Sequence, residues 1–206
     1  MWPLGNQRYT ALVVPPEMMG MHLTSPVVHS THRTVDLDFS AAVALFGHFG
    51  VEWDLTTVDA ADAPRLAEWI TLAKRLRPLI STGRLVNVDG LEAGMDVRGT
   101  VAADGSTAVF VITQTDTTVA YPPARVRLPG LHSGSSYRLR VLTPDGGDVG
   151  PGQSLLEWMR AEIVLSGEEL ATVGIRPPVQ FPQRATVLGL TRVASSIWRP
   201  MSPATS

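Results

Sequence analysis

The chain has 206 residues, 44% of them apolar, and a formal net charge of −2. That length suits one domain or two small ones with a buried core, and the balanced charge excludes a global pull towards nucleic acid or anionic lipid. Cysteine is absent, which excludes disulfide staples and thiolate-held zinc. With no membrane-length apolar run and no secretory leader in MWPLGNQRYT, the expectation is a soluble cytoplasmic protein.

In chain order, Gln7 to Val14 is open between a helix end and a loop, and Pro15-Pro16 stop it, because proline fixes φ and donates no hydrogen bond. The apolar run Met18 to Leu23 predicts a strand buried on both faces, as in a parallel sheet. A polar loop from Thr24 to Thr34 follows. Asp38 is placed to cap a helix from Phe39 to His48, with Gly47 and Gly50 offering a left-handed end. One strand–helix unit cannot make a parallel sheet, so the chain is expected to begin inside something larger. Val51 to Leu55 reads as a short extended piece with Trp53 facing in. Asp59 to Asp62 open a second helix with Pro64 in its first turn; Leu66, Trp69, Ile70, Ala73, Leu76 and Leu79 recur at helical spacing, and Pro78 and Gly83 end it. The sole lysine, Lys74, stands with Arg75 and Arg77 near that end, where cations complement the helix dipole.

Beyond Gly83 the period becomes two. Leu85 to Val88, Met95 to Val101, Ala108 to Thr113, Ala124 to Leu128, Tyr137 to Leu142, Glu162 to Leu165 and Ala185 to Thr191 predict about seven or eight short strands. Ala103-Asp104-Gly105-Ser106 marks a hairpin turn, while Gly134-Ser135 and Asp145-Gly146-Gly147 punctuate later segments. Strands at this spacing without helices between them predict an antiparallel β-sandwich. The expected division is an α/β region over 1–80, an all-β domain over 81–194 and a disordered Pro/Ser-rich tail over 195–206.

The segment PPEMMGMHLTSPVVHSTHRTVDLDFSAAVALFGHFGVEWDL resembles the C-terminal part of the catalytic barrel in family 36 glycoside hydrolases, the large α-galactosidases. Pro15, Pro16, Met19, Gly20, His22, His29, Thr31, Arg33, Phe39, Ala41, Ala42, Phe46-Gly47, Gly50 and Asp54-Leu55 carry the likeness. Later, VRLPGL (Val126 to Leu131), YRLR (Tyr137 to Arg140) and VLSGEELATVGI (Val164 to Ile175) resemble that family's C-terminal β-sandwich. The resemblance implies an α/β plus all-β fold, the last βα portion of a (β/α)8 TIM barrel followed by an antiparallel β-sandwich. It implies retaining hydrolysis of terminal α-galactosides such as raffinose and melibiose, with no cofactor. Two carboxylates roughly 5–5.5 Å apart serve that chemistry. In the family both are aspartates, the nucleophile in a Lys-x-Asp context and the acid/base after a serine upstream of the Pro-Pro segment. Here Lys74 is followed by Arg75-Leu76, and Ser-Asp occurs nowhere. The chain is therefore expected to begin just after the acid/base position, to carry no catalytic residue, and to be inactive alone.

The remaining candidates are weighed on their residues. Glu52 and Asp54 share a face of an extended segment, but Asp54 as an anchor and Glu52 as a solvated side chain is the favoured reading. Asp36 and Asp38 read as caps ahead of a helix. His29, His32 and Asp36 have loosely metal-like spacing without a further strong ligand, so no metal site is expected. His22, at a strand end, has two roles open: lining the sugar pocket of the complete barrel, or a structural one, which is favoured. His29 and Arg33 are assigned to loop structure, Arg33 pairing with a carboxylate or with backbone carbonyls. The expected partners are α-galactoside oligosaccharides in the complete enzyme only, the preceding part of the barrel, and a second copy of the chain, since a barrel piece leaves strand edges and apolar faces uncovered. The alternative function is a non-catalytic β-sandwich module binding carbohydrate or a partner. It calls for a stripe of exposed aromatics, which Phe110, Tyr121, Tyr137, Trp158 and Phe181 do not form in sequence.

Overall fold

Trp2–Thr10 forms helix α1, so the segment left open between helix and loop is helical as far as Thr10. The structure is a computed structural model that describes residues 2–28, 32–144 and 155–194; His29 and Thr31, the Asp145-Gly146-Gly147 turn and the 195–206 tail lie outside the described residues. Pro16–Met18 make a single 3-10 turn, and strand β1 runs Gly20–Thr24. The expected strand thus starts two residues late. The amides of Met18 and Met19 are spent locally, on the carbonyls of Pro15 and Pro16, and Met18 is left 74% exposed.

After the short antiparallel pair β2 (Val27–Val28) and β3 (Arg33–Thr34), helix α2 runs Leu37–Ala44. Its N-cap is Asp36, whose Oδ1 accepts from the Phe39 amide at 3.1 Å, and not Asp38 as its sequence predicts. Nor do Gly47 and Gly50 supply a left-handed cap; neither has a positive φ. They are glycines because neighbours press on them. A Cβ on Gly47 would collide with Met21 and lie 2.7 Å from the Met19 carbonyl, and one on Gly50 would lie 2.9 Å from the His22 ring. That closeness comes from strand β4 (His48–Glu52), parallel to β1 with Gly20 opposite His48 and Thr24 opposite Glu52. The expected extended piece thus begins at His48, three residues earlier than Val51, and completes a strand–helix–strand unit. Trp53, just beyond β4, packs partly buried against the core, as expected.

Helix α3 spans Asp62–Thr82 and buries Leu66, Trp69, Leu72, Ala73, Leu76 and Ile80. Pro78 lies within it and does not end it. The hydroxyls of Ser81 and Thr82 donate to the Pro78 carbonyl, and the Gly83 amide closes the helix on Leu79. Lys74, Arg75 and Arg77 consequently sit outside the last turn, where no basic residue occurs. Their dipole role does not hold.

The strands β5 (Arg84–Asn87), β6 (Met95–Val101), β7 (Thr107–Gln114), β8 (Ser136–Val141), β9 (Ile163–Ser166) and β10 (Arg184–Val193) form one antiparallel sheet in the order β5-β6-β7-β10-β8-β9. The β6–β7 hairpin turns as expected at Asp104-Gly105, with Gly105 at φ +62° and Asp104 Oδ1 accepting from the Ser106 amide at 2.9 Å. Ala124 to Leu128 is not a strand. Only Val126 makes a bridge, to Ile175, and the segment joins the short helices α4 (Glu157–Arg160) and α5 (Gly167–Thr172) in covering one sheet face. On that face Val97, Phe110, Ile112, Tyr137, Leu139 and Leu188 meet Val126, Leu128, Trp158, Leu170 and Ile175. Alternate residues Val109, Val111, Ala185 and Val187 point the other way, into a core with Leu23, α2 and α3. Period-two alternation serves two cores here, and the wet face survives at β8, where Arg138 and Arg140 are exposed.

Candidate functional site

The β1–α2–β4 unit has one face committed to packing. Leu23 is fully buried against α2 and α3, and Phe49 and Val51 pack on the same core. By alternation the other face carries Gly20, His22 and Thr24 from β1 and His48, Gly50 and Glu52 from β4. On it, His22 Nδ1 lies 3.2 Å from Glu52 Oε2, with the two side chains 53% and 72% exposed. His22 sits opposite Gly50, and a Cβ on either Gly50 or Gly20 would come within 3.5 Å of its Nε2 edge. The pairing needs the parallel register of two strands, so it is invisible in the sequence, where Glu52 was weighed only against Asp54.

Asp54 N-caps the 3-10 turn Leu55–Thr57, accepting from the amide and hydroxyl of Thr56 at 2.9 and 2.7 Å. The Thr56 hydroxyl and then its amide hold the Asp54 carboxyl below the usual carboxylate range. Asp36 caps α2 and pairs with Arg184 at 3.0 Å. Asp38 is held by Arg65 at 2.8 Å and accepts from the Trp69 indole. Asp36, Asp38 and Arg65 line a cleft of about 520 Å³ between the β3–α2 loop and the start of α3. Arg33 is exposed on β3, and no ion pair joins it to a carboxylate among the described residues. His32 has φ 54°, and no group of metal-ligating side chains forms among the described residues.

One polar cluster escaped the sequence altogether. Arg98, 2% exposed on β6, lies 5.9 Å above the Phe46 ring and has its Nε 3.8 Å from Asp96. Asp96 also accepts from Arg8 of α1 at 2.8 Å, and Arg8 reaches the Val88 carbonyl and Asp89. Burial lowers the Arg98 pKa to about 10. In sequence, nothing near Arg98 marks it as buried, because Phe46 and Arg8 come from distant segments. Of the aromatics in the β domain, Phe110, Tyr137 and Trp158 are buried, leaving Tyr121 and Phe181 exposed in separate loops.

Residues 3–83 match the family model described as Melibiase, and residues 96–199, half of the chain, match the one described as the glycosyl hydrolase family 36 C-terminal domain. An alpha-galactosidase of Escherichia coli is 37% identical over 191 residues, covering 90% of this chain and 27% of that protein. Alpha-galactosidase C of Emericella nidulans is 37% identical over 149 residues, covering 71% and 19%. Among solved structures, a variant of the GH36 alpha-galactosidase AgaA from Geobacillus stearothermophilus, in complex with raffinose, aligns with a TM-score of 0.76 at 24% identity, covering 93% of this chain and 24% of that one. The alpha-galactosidase from Lactobacillus brevis aligns with a TM-score of 0.75 at 20% identity, covering 94% and 25%.

A parallel strand–helix–strand unit running into an antiparallel β domain is thus the fold of one part of these glycosidases. The chain belongs to glycosyl hydrolase family 36. It spans between about a fifth and about a quarter of the length of the relatives it matches.

Proposed function

We propose that these 206 residues form the C-terminal segment of an α-galactosidase, contributing the last two strands of its barrel and the β domain behind them. In this reading the nucleophile and the general acid/base come from sequence outside these residues, and the segment alone does not hydrolyse α-galactosides. The observation that carries it is the fate of the carboxylates around the strand ends. Asp36, Asp38 and Asp54 are fixed in caps and ion pairs, and Glu52 faces His22. The carboxyls with displaced pKa values among the described residues, Asp54, Asp104 and Glu169, all move downward, through hydrogen bonds to Thr56, Ser106 and Ser166 respectively. A general acid needs the opposite displacement. In this reading no carboxylate pair among the described residues serves as nucleophile and acid.

The strand edges support the barrel assignment. β1 and β4 hydrogen-bond only to each other among the described residues, and parallel sheets of two strands do not stand alone. Tyr9, Leu12, Val13 and Met18 are exposed between α1 and β1, where further barrel would cover them. A role for the β domain as a sugar-binding platform lacks its aromatic stripe, so scaffolding is assigned to it. No helix among the described residues is long and apolar enough to cross a membrane. A cytoplasmic site is proposed on the lack of cysteine.

The test joins the part of the Escherichia coli relative that precedes its matched segment to the N-terminus of this chain. The joined polypeptide is expected to hydrolyse p-nitrophenyl α-galactoside, and this chain alone is not. An inactive but folded joined polypeptide would contradict the assignment.

A further inference from the structure

We propose that His22 and Glu52 act as one positioning pair on the lumen face of the assembled barrel, with His22 Nε2 accepting a hydroxyl group of the bound saccharide. The inference rests on the α-galactosidase reading above and names a contact within it.

The chemistry follows from three placements. First, an ionised carboxylate only accepts hydrogen bonds, so a neutral His22 facing Glu52 Oε2 at 3.2 Å donates from Nδ1. In that tautomer the other ring nitrogen, Nε2, is an acceptor. Second, the residues flanking the Nε2 edge are glycines. A Cβ at position 20 would lie 3.3 Å from Nε2, and one at position 50 would lie 3.5 Å from it and 2.9 Å from Cδ2. Neither Gly20 nor Gly50 has a positive φ, so backbone conformation does not require glycine at either position. Third, the pair lies on the face that the helices leave free, with Glu52 the last residue of β4 and His22 the middle residue of β1, one turn of the pleat short of the strand end that its sequence suggests. Catalytic and binding groups of β/α barrels gather at the C-terminal ends of strands. An acceptor held rigid by a carboxylate and approached over two glycines suits a neutral, polyhydroxylated ligand. A phosphate or carboxylate ligand would be repelled by Glu52.

The experiment uses the joined polypeptide described above, with raffinose and p-nitrophenyl α-galactoside as substrates. His22→Phe keeps the ring shape and removes the acceptor, whereas His22→Gln restores an acceptor oxygen. Glu52→Ala, at a largely exposed side chain, releases the tautomer without disturbing the core. His22→Phe and Glu52→Ala are expected to raise KM for raffinose roughly five-fold or more with kcat changed less than about two-fold, and His22→Gln to recover most of the loss. The melting temperatures should match the parent. Unchanged KM in both His22→Phe and Glu52→Ala would overturn the pair's role while leaving the α-galactosidase reading intact. So would an equal fall in kcat and stability without a KM effect. A folded but inactive parent polypeptide would instead sink that reading, and the saccharide assignment with it.

Discussion

Asp96 answers two guanidinium groups, Arg8 from the first helix and Arg98 from the sheet, and Arg98 is almost fully buried beside Phe46. Removing one partner of a buried ion pair leaves the other charge without compensation, which costs about 3–5 kcal/mol. Asp96→Ala is therefore expected to destabilise the fold by roughly 3 kcal/mol in urea unfolding, and a loss under about 1 kcal/mol would show that Arg98 is solvated in another way. Asp54, Asp104 and Glu169 define the acid side. Each is held below its ordinary pKa in the folded chain, so each adds stability above its unfolded pKa and loses it as the pH falls through the folded value. All three are exposed, so the effect is small. Asp54→Asn should lower the melting temperature near neutral pH, with the difference from wild type shrinking as the pH falls through the folded-state value of the carboxyl. Short-range chemistry of this kind was legible in sequence at Asp54, whose partner Thr56 is two residues away. Of the two aspartates read as caps ahead of α2, Asp36 is the cap and Asp38 is not. Both aspartates sit before an apolar run, and the Arg65 and Trp69 that claim Asp38 arrive from another helix.

Helices and hairpins declare themselves where their signals are local. The α3 stripe, its start at Asp62 beside Pro64, and the β6–β7 turn at Gly105 all follow from periodicity and turn chemistry. The strand β4 did so only from Val51, because His48-Phe49-Gly50 follows an alanine-rich helix and its glycines mimic a helix stop. Their true cause, the close approach of β1, is a tertiary fact. Ala124 to Leu128 failed in the opposite direction: it alternates like a strand, yet its hydrogen bonds go to Ile175 and Leu170 in coil and helix. At this scale Trp69 is the central test of packing. It is fully buried on α3 against the sheet and donates to Asp38. Trp69→Ala should cost about 3–5 kcal/mol, read from chemical denaturation, and a change of 1 kcal/mol or less would mean that α3 does not seat on the sheet as described.

The whole molecule does not divide cleanly at residue 80. Leu66, Trp69 and Leu76 from the α/β side share one core with Val109, Val111, Ala185 and Val187 from the sheet. A chain limited to residues 84–194 would expose that sheet face, and it is expected to associate or to lose cooperative melting, whereas an independently folding β domain would melt sharply as a monomer. Family and fold class were legible because a long ordered pattern from Pro15 to Leu55 carries them. The His22–Glu52 pair was not, since two residues thirty apart meet only through strand register. The central claim is that this segment carries scaffold and positioning groups but no catalytic carboxylate. Hydrolysis of p-nitrophenyl α-galactoside by the purified 206-residue chain, with circular dichroism on the same sample, tests it most directly. The account predicts a folded spectrum with turnover no faster than buffer. Turnover clearly above buffer, abolished by Glu52→Gln or Asp54→Asn, would contradict it.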